Sequence, residues 1–238
     1  MIIEKHLKIF FEKLEIEKKI NFLDLCKQSA IITNTAKDLN SPLTYIRLTK
    51  SLFLCKYFIY ANQLEGDIAE CGVLRGFSSY LLRLLSQKLD YATSEKKFFL
   101  IDSFQGLSEI LPEDKPINQN IHHHKKGDLI ASFEIVQKAF QKFKNVNIFK
   151  GWIPEVFNNI DFNNTYCFIH IDVDLYQPTI DSLNYFYDRV VKGGIILTDD
   201  YEAPLFPGNK KAWDQFIKSR NIKDSIFLPS GQAVIIKE

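Results

Sequence analysis

Two apolar runs in this chain end in clustered acids. One is Ile169-His170-Ile171-Asp172-Val173-Asp174-Leu175-Tyr176. The other is Gly193-Gly194-Ile195-Ile196-Leu197-Thr198-Asp199-Asp200-Tyr201. Near-continuous apolar runs are the mark of strands buried on both faces of a parallel sheet. In an open α/β sheet, ligands bind just outside the carboxyl ends of such strands. Asp172, Asp199 and Asp200 are therefore expected to share one mouth. Carboxylates brought together repel, and a hard divalent cation with oxygen ligands is the natural partner for them. The plainer alternative has Asp172 capping a helix and Asp199-Asp200 opening a loop.

A second constellation lies upstream. Glu70-Cys71-Gly72-Val73-Leu74-Arg75-Gly76 puts an acid and two glycines at a strand-to-helix turn. Glycine there lets a ligand approach the backbone, and the following helix offers free N–H groups. The spacing G-x-x-x-G is not the dinucleotide fingerprint G-x-G-x-x-G. An acid just before the first glycine suits a cationic or zwitterionic ligand better than a pyrophosphate. Asp102 ends the next apolar run, where an acid can accept hydrogen bonds from ribose hydroxyls. Further on, His122-His123-His124 sits in a long polar loop, and a neutral imidazole suits a general base. Three adjacent side chains seldom converge on one ion, so a triple-histidine zinc site is disfavoured. His170, inside an apolar strand, reads as a satisfied core histidine.

These residues need a scaffold, and the pattern supplies one. Strands are expected at 67–71, 97–102, 146–149, 166–171 and 194–197, with helices at 77–89, 129–143, 178–191 and 210–220 between and after them. Residues 225–228 and 232–237 flank Pro229-Ser230-Gly231 as a terminal hairpin. This alternation predicts an α/β fold: a three-layer α/β/α sandwich, Rossmann-like, with a mostly parallel seven-stranded sheet and a C-terminal antiparallel hairpin. Residues 103–127 form a loop long enough to act as a lid. Residues 1–65 read as a helical extension, as a substrate lid or oligomer contact. Its first 30 residues are amphipathic, and 43–64 form a more apolar helix begun at Ser41-Pro42. Residues 66–238 form the main domain.

Bulk composition excludes several classes. A chain of 238 residues with 46% hydrophobic and 25% charged residues can bury a real core. A formal net charge of +1 gives no global field for nucleic acid or anionic lipid. Cys26, Cys55, Cys71 and Cys167 include no C-x-x-C pair, as expected of reduced thiols in a cytoplasmic protein. The charged N-terminus is unlike a signal peptide, and no run suits a membrane span.

Taken in order, Glu70-Cys71-Gly72-Val73-x-Arg75-Gly76, Asp102-Ser103-Phe104-Gln105-Gly106-Leu107, Gly151-Trp152, Asp172-Val173-Asp174-Leu175-Tyr176 and Gly193-Gly194 through Asp199-Asp200-Tyr201 resemble the macrocin O-methyltransferase (TylF/MycF) family over roughly residues 66–220. The resemblance implies a class I fold dependent on S-adenosylmethionine (SAM), a divalent cation, usually Mg²⁺, and methyl transfer to a sugar hydroxyl (EC 2.1.1.-). It implies that Glu70 and Gly72 hold the methionine end, that Asp102 and Ser103 lie at the adenosine, and that Gly151 and Trp152 form the far wall. Trp152 could equally be a core aromatic with its N–H satisfied. It implies Asp172, Asp199 and Asp200 as metal ligands, with Asp174 beside them. A loop histidine takes the hydroxyl proton; counting back from the next helix favours His123 among His122, His123 and His124, with Asp172 as the fallback base. The chain departs from the family at His170-Ile171, where Arg-Leu is usual, and at Phe77, where a second small residue is commoner.

The acceptor expected is a sugar in a glycosylated metabolite or surface polysaccharide precursor. The apolar segment 43–64 is expected to pack on the core, with a lid or a homo-oligomer contact as its alternatives. A catechol-type O-methyltransferase acting on an aromatic diol shares the metal logic. A glycosyltransferase using Asp172-x-Asp174 leaves Glu70 and Asp199-Asp200 without a role.

Overall fold

The computed structural model describes residues 21–35, 44–89, 96–116, 118, 123–223 and 225–238. The amphipathic segment expected at the N-terminus falls largely outside these residues. Among the described residues two helices precede the sheet: α1 (Phe22–Ile32), capped by the Asn21 side chain, and α2 (Thr44–Ala61). Then come β1 (Asp67–Cys71), α3 (Phe77–Lys88), β2 (Phe98–Asp102), α4 (Phe133–Phe140), β3 (Val146–Lys150) and β4 (Tyr166–Ile171). The chain closes with α5 (Tyr176–Phe186), β5 (Val190–Thr198), α6 (Pro207–Ser219), β6 (Ser225–Phe227) and β7 (Ala233–Ile236). The sheet has seven strands in the order β3-β2-β1-β4-β5-β7-β6. Strands β1 to β5 pair in parallel, while β7 runs antiparallel to both β5 and β6.

Side-chain alternation along the strands builds the layers. Ile68, Phe98, Phe168, Ile195, Leu197 and Val234 pack under α1, α2 and α3. Their neighbours Ala69, Phe99, Ile169, Ile196, Ala233 and Ile235 pack under α5 and α6. A smaller cluster joins Leu100 to Tyr80, Val136 and Phe140 beneath α4. The three layers and the closing hairpin are those expected from the sequence.

The largest departures from the pattern lie at two places. Leu129 has φ 62, a left-handed conformation that no helix tolerates, so α4 starts only after Ser132, whose Oγ accepts from the Ile135 N–H at 3.4 Å. Strand β5 begins at Val190, because a single 3-10 turn at Tyr187–Arg189 ends α5 early. The pairing with β4 shifts register there, at a stretch containing Gly193 (φ 78). Among the described residues no helix is long and apolar enough to cross a membrane.

The topology fixes the site. Chain connections leave β1 toward β2 and β4 toward β5, so the strand order reverses between β1 and β4. That reversal opens a crevice. The strands also end level with one another. Beyond them the Gly72 N–H donates to Ile101 O, the Asp172 N–H to Cys71 O and the Asp199 N–H to Ile171 O, at 2.9, 2.8 and 3.0 Å. Gly72, Asp172 and Asp199 thus stand in a row along the carboxyl rim.

Candidate active site

Four aspartates lie at that rim. Carboxylate oxygens of Asp172, Asp174 and Asp200 all fall within 4.8 Å of one another. Asp174 joins them because it adopts φ 61, an uncommon conformation of the kind that collects at functional sites. Asp199 stands beside this trio, and both of its oxygens have donors. Its Oδ1 accepts from Gln232 Nε2 at 2.7 Å and its Oδ2 from Lys50 Nζ at 2.9 Å. Lys50 also donates to Asp200 Oδ1 at 2.9 Å. Gln232 is fully buried and is delivered by the terminal hairpin, and Lys50 comes from α2.

The charges are unbalanced. Burial, reinforced by the carboxylates of Asp199 and Asp200, pushes the Asp172 carboxyl well above its usual range. Burial and the neighbouring Asp200 and Asp172 do the same to Asp174. Burial also acts against ionised Asp199, but Lys50 and His170 outweigh it and hold that carboxyl below the ordinary range. On Lys50 the balance is the mirror image: desolvation opposes the ammonium, and Asp199 and Asp200 win. Crowded, buried carboxylates that oppose one another's ionisation are a donor set that fits a cation with hard oxygen preferences.

The upstream constellation meets the same row. Glu70 is buried on β1, accepts from the Ser79 hydroxyl and lies 2.9 Å from His170 Nδ1. His170 was expected to be satisfied; its Nε2 is buried without a hydrogen-bond partner, 3.6 Å from Asp199 Oδ1. Burial opposes a charged ring, yet Asp199 and Glu70 push its pKa up to about 10. Asp102 Oδ2 accepts from the N–H groups of Val73 and Leu74 at 2.7 and 2.8 Å, and Oδ1 from Phe104 N–H at 2.6 Å. It therefore ties two loops together while bordering the crevice.

Two clefts flank the rim. One, of about 180 Å³, is lined by Gly72, Asp102, Ser103, Gly151, Trp152 and Asp172 among others. Trp152 thus borders a cleft rather than the core. The second, of about 230 Å³, is lined by Glu70, Ser78, Arg75, Arg47 and Lys50. Leu74 and Asp172 line both, so the clefts meet beside the acids.

The loop histidines divide. His123 is exposed. His124 stacks on Phe206, with ring centroids 4.8 Å apart, and lies 3.4 Å from Asp128. His122 lies outside the described residues. Phe206 follows the Asp199-Asp200 loop, so the histidine loop is packed against the acid loop.

Lys50 and Gln232 were not singled out in the sequence. For Lys50 a signal existed: Arg47 and Lys50, three residues apart, set two cations on one stripe of a largely apolar helix. For Gln232 none did, since a turn glutamine is ordinary.

Strand order, switch-point crevice and an acid at the end of each of the first two strands define a class I SAM-dependent methyltransferase fold. Residues 44–237 match the family model Macrocin-O-methyltransferase (TylF), and the chain belongs to that family. It is accordingly a SAM-dependent O-methyltransferase. Demethyldecarbamoylnovobiocin O-methyltransferase of Streptomyces niveus is 26% identical over 186 residues, covering 76% of this chain and 69% of the relative. Mycinamicin III 3''-O-methyltransferase of Micromonospora griseorubida is 28% identical over 176 residues, covering 71% and 67%. Among solved structures, the O-methyltransferase NovP superposes with TM-score 0.68 at 23% identity, covering 80% of each chain. The calicheamicin methyltransferase CalS11 gives TM-score 0.67 at 15% identity, covering 90% of this chain and 91% of that one. Both structural likenesses bear on the fold.

Proposed function

We propose that this protein transfers the SAM methyl group to a sugar hydroxyl of a glycosylated small molecule, with a divalent cation, Mg²⁺ by preference, bound at the aspartate rim. The observation that carries this reading is the meeting of the two clefts at Asp172. SAM has a flat adenosine at one end and a zwitterion at the other. The cleft of Asp102, Ser103, Gly151 and Trp152 suits the adenosine. In the other, Glu70 suits the ammonium, and Arg47 and Arg75 on the same lining suit the carboxylate. The sulfonium between them then lies next to the acids. The names of the curated relatives, which act on novobiocin and mycinamicin precursors, support a glycosylated acceptor.

The chemistry is a displacement. The acceptor oxygen forms a bond to the methyl carbon, the carbon–sulfur bond breaks, and the hydroxyl proton leaves to a base. The products are a methyl ether and S-adenosylhomocysteine (SAH). Because the sulfonium is already a strong electrophile, the protein's work is alignment and activation of the oxygen. Asp172, Asp199 and Asp200 would hold the cation, which would supply charge that lowers the pKa of a nearby acceptor hydroxyl. Asp174 completes the acid set, and Lys50 and Gln232 orient Asp199 from behind. Helix α2 is in this reading part of the site, because it carries Arg47 and Lys50.

We assign the base to the histidine loop, with His123 its first candidate. His123→Ala is expected to lower kcat by roughly 10²-fold. An unchanged rate in that variant, with a drop in His124→Ala instead, moves the role one residue along.

The reading as a whole is tested by thermal melting. SAH at 100 times its Kd is expected to raise stability by about 2.7 kcal/mol, or roughly 5–10 °C for a chain of this size. A UDP-sugar is expected to leave Tm unchanged. A response to the nucleotide sugar without one to SAH would overturn the assignment, and turnover that survives EDTA would remove the metal from it.

A further inference from the structure

We propose that His170 is a positioning residue, resting on the reading above, that holds the cofactor-side glutamate with one ring nitrogen and faces the cation-side aspartate with the other. The argument starts from register. Glu70 on β1, His170 on β4 and Leu197 on β5 are direct neighbours across the sheet. Their side chains therefore leave the same face, and Asp199, two residues beyond Leu197, leaves it as well. His170 stands between two acids that serve different ligands.

The distances follow. His170 Nδ1 lies 2.9 Å from Glu70 Oε1 and Nε2 lies 3.6 Å from Asp199 Oδ1. The ring is 1% exposed, and Nε2 has no hydrogen-bond partner. A buried ring nitrogen aimed at an acid and left short of a bond is costly, so its retention calls for a partner. A shift of about 0.6 Å would bring Nε2 and Asp199 into hydrogen-bond range. Lys50 and Gln232 hold Asp199 from the other sides. Among the described residues the His170 ring is the one side chain placed to touch both Glu70 and Asp199.

Two substitutions separate the nitrogens. Asparagine places its amide donor near the position of Nδ1, and glutamine reaches toward that of Nε2. The measurements are SAH affinity by calorimetry and Mn²⁺ affinity by electron paramagnetic resonance, on protein whose melting curve shows it folded. His170→Asn is expected to keep SAH affinity within about threefold of wild type and to weaken Mn²⁺ at least tenfold. His170→Gln is expected to do the reverse. Parallel losses of both affinities, or no loss in either, overturn the proposal. Because a variant can fail to fold, the unmodified protein carries a second test. In ¹⁵N spectra of the wild-type imidazoles, SAH alone is expected to move the His170 Nδ1 resonance and Mg²⁺ alone the Nε2 resonance. A ring indifferent to either ligand overturns the proposal. Wild-type protein that binds neither SAH nor Mn²⁺ overturns the methyl-transfer reading instead, and this inference with it.

Discussion

Asp200→Ala is expected to lower methyl transfer by at least roughly 10³-fold while leaving SAH affinity within about threefold of wild type. Asp200 belongs to the carboxylate group with Asp172 and Asp174, and its Oδ1 is half of the Lys50 clamp. Its side chain does not line the cleft assigned to adenosine or the one assigned to the methionine end. The two readouts should therefore separate. The variant should also fold. In the absence of a cation, removing one of several crowded like charges relieves repulsion, so the melting temperature of the metal-free protein should hold or rise. The stabilisation by Mg²⁺ seen in wild type should vanish. Steady-state kinetics with a sugar acceptor, SAH calorimetry and melting with and without Mg²⁺ make the comparison. Turnover within tenfold of wild type would show that these acids do not hold the activating charge.

Gly72→Ala is expected to damage both stability and cofactor binding. A Cβ built at Gly72 would lie 1.8 Å from Asp172 O and 2.5 Å from Asp172 C, both backbone atoms, and Gly72 has φ +85. Neither problem relaxes cheaply. The left-handed conformation costs a non-glycine residue about 1–2 kcal/mol, and the clash requires β1 and β4 to part where the Asp172 N–H bonds to Cys71 O. A total of roughly 3 kcal/mol or more would lower Tm by about 6–12 °C. Because the displaced atoms belong to Asp172, the acid that borders both clefts moves with them. SAH affinity is expected to fall by at least roughly 10²-fold. A variant with wild-type Tm and SAH affinity would mean that this turn is not the cofactor's floor.

Gly76 shows why the turn tolerates little. Its φ is 86, and an added Cβ would meet the Phe140 ring at 2.8 Å. Ring atoms can give way more readily than a strand backbone, so the penalty at Gly76 should be the smaller one. The two glycines look equivalent in the sequence, and only their surroundings rank them.

How much was legible in the sequence depends on whether the signal was local. Strands and helices were readable because burial imposes a period of two or 3.6 on side-chain polarity, and β1, β2, β4 and α3 fell close to the expected bounds. The start of α4 was not readable, because nothing in Leu129 announces φ 62. Family membership followed from motifs whose spacing survives at 26–28% identity.

The sequence by itself determined the α/β class, the row of acids at the strand ends and the kind of ligand such acids attract. These follow from composition and period, which each segment carries alone. Tertiary structure alone decided which acids face one another, that Lys50 and Gln232 arrive from opposite ends of the chain to hold Asp199, and that His170 stands between Glu70 and Asp199. Those are consequences of strand register and of helix docking onto the sheet, and they set the orientation of a carboxylate by contacts as many as 149 residues apart in the chain.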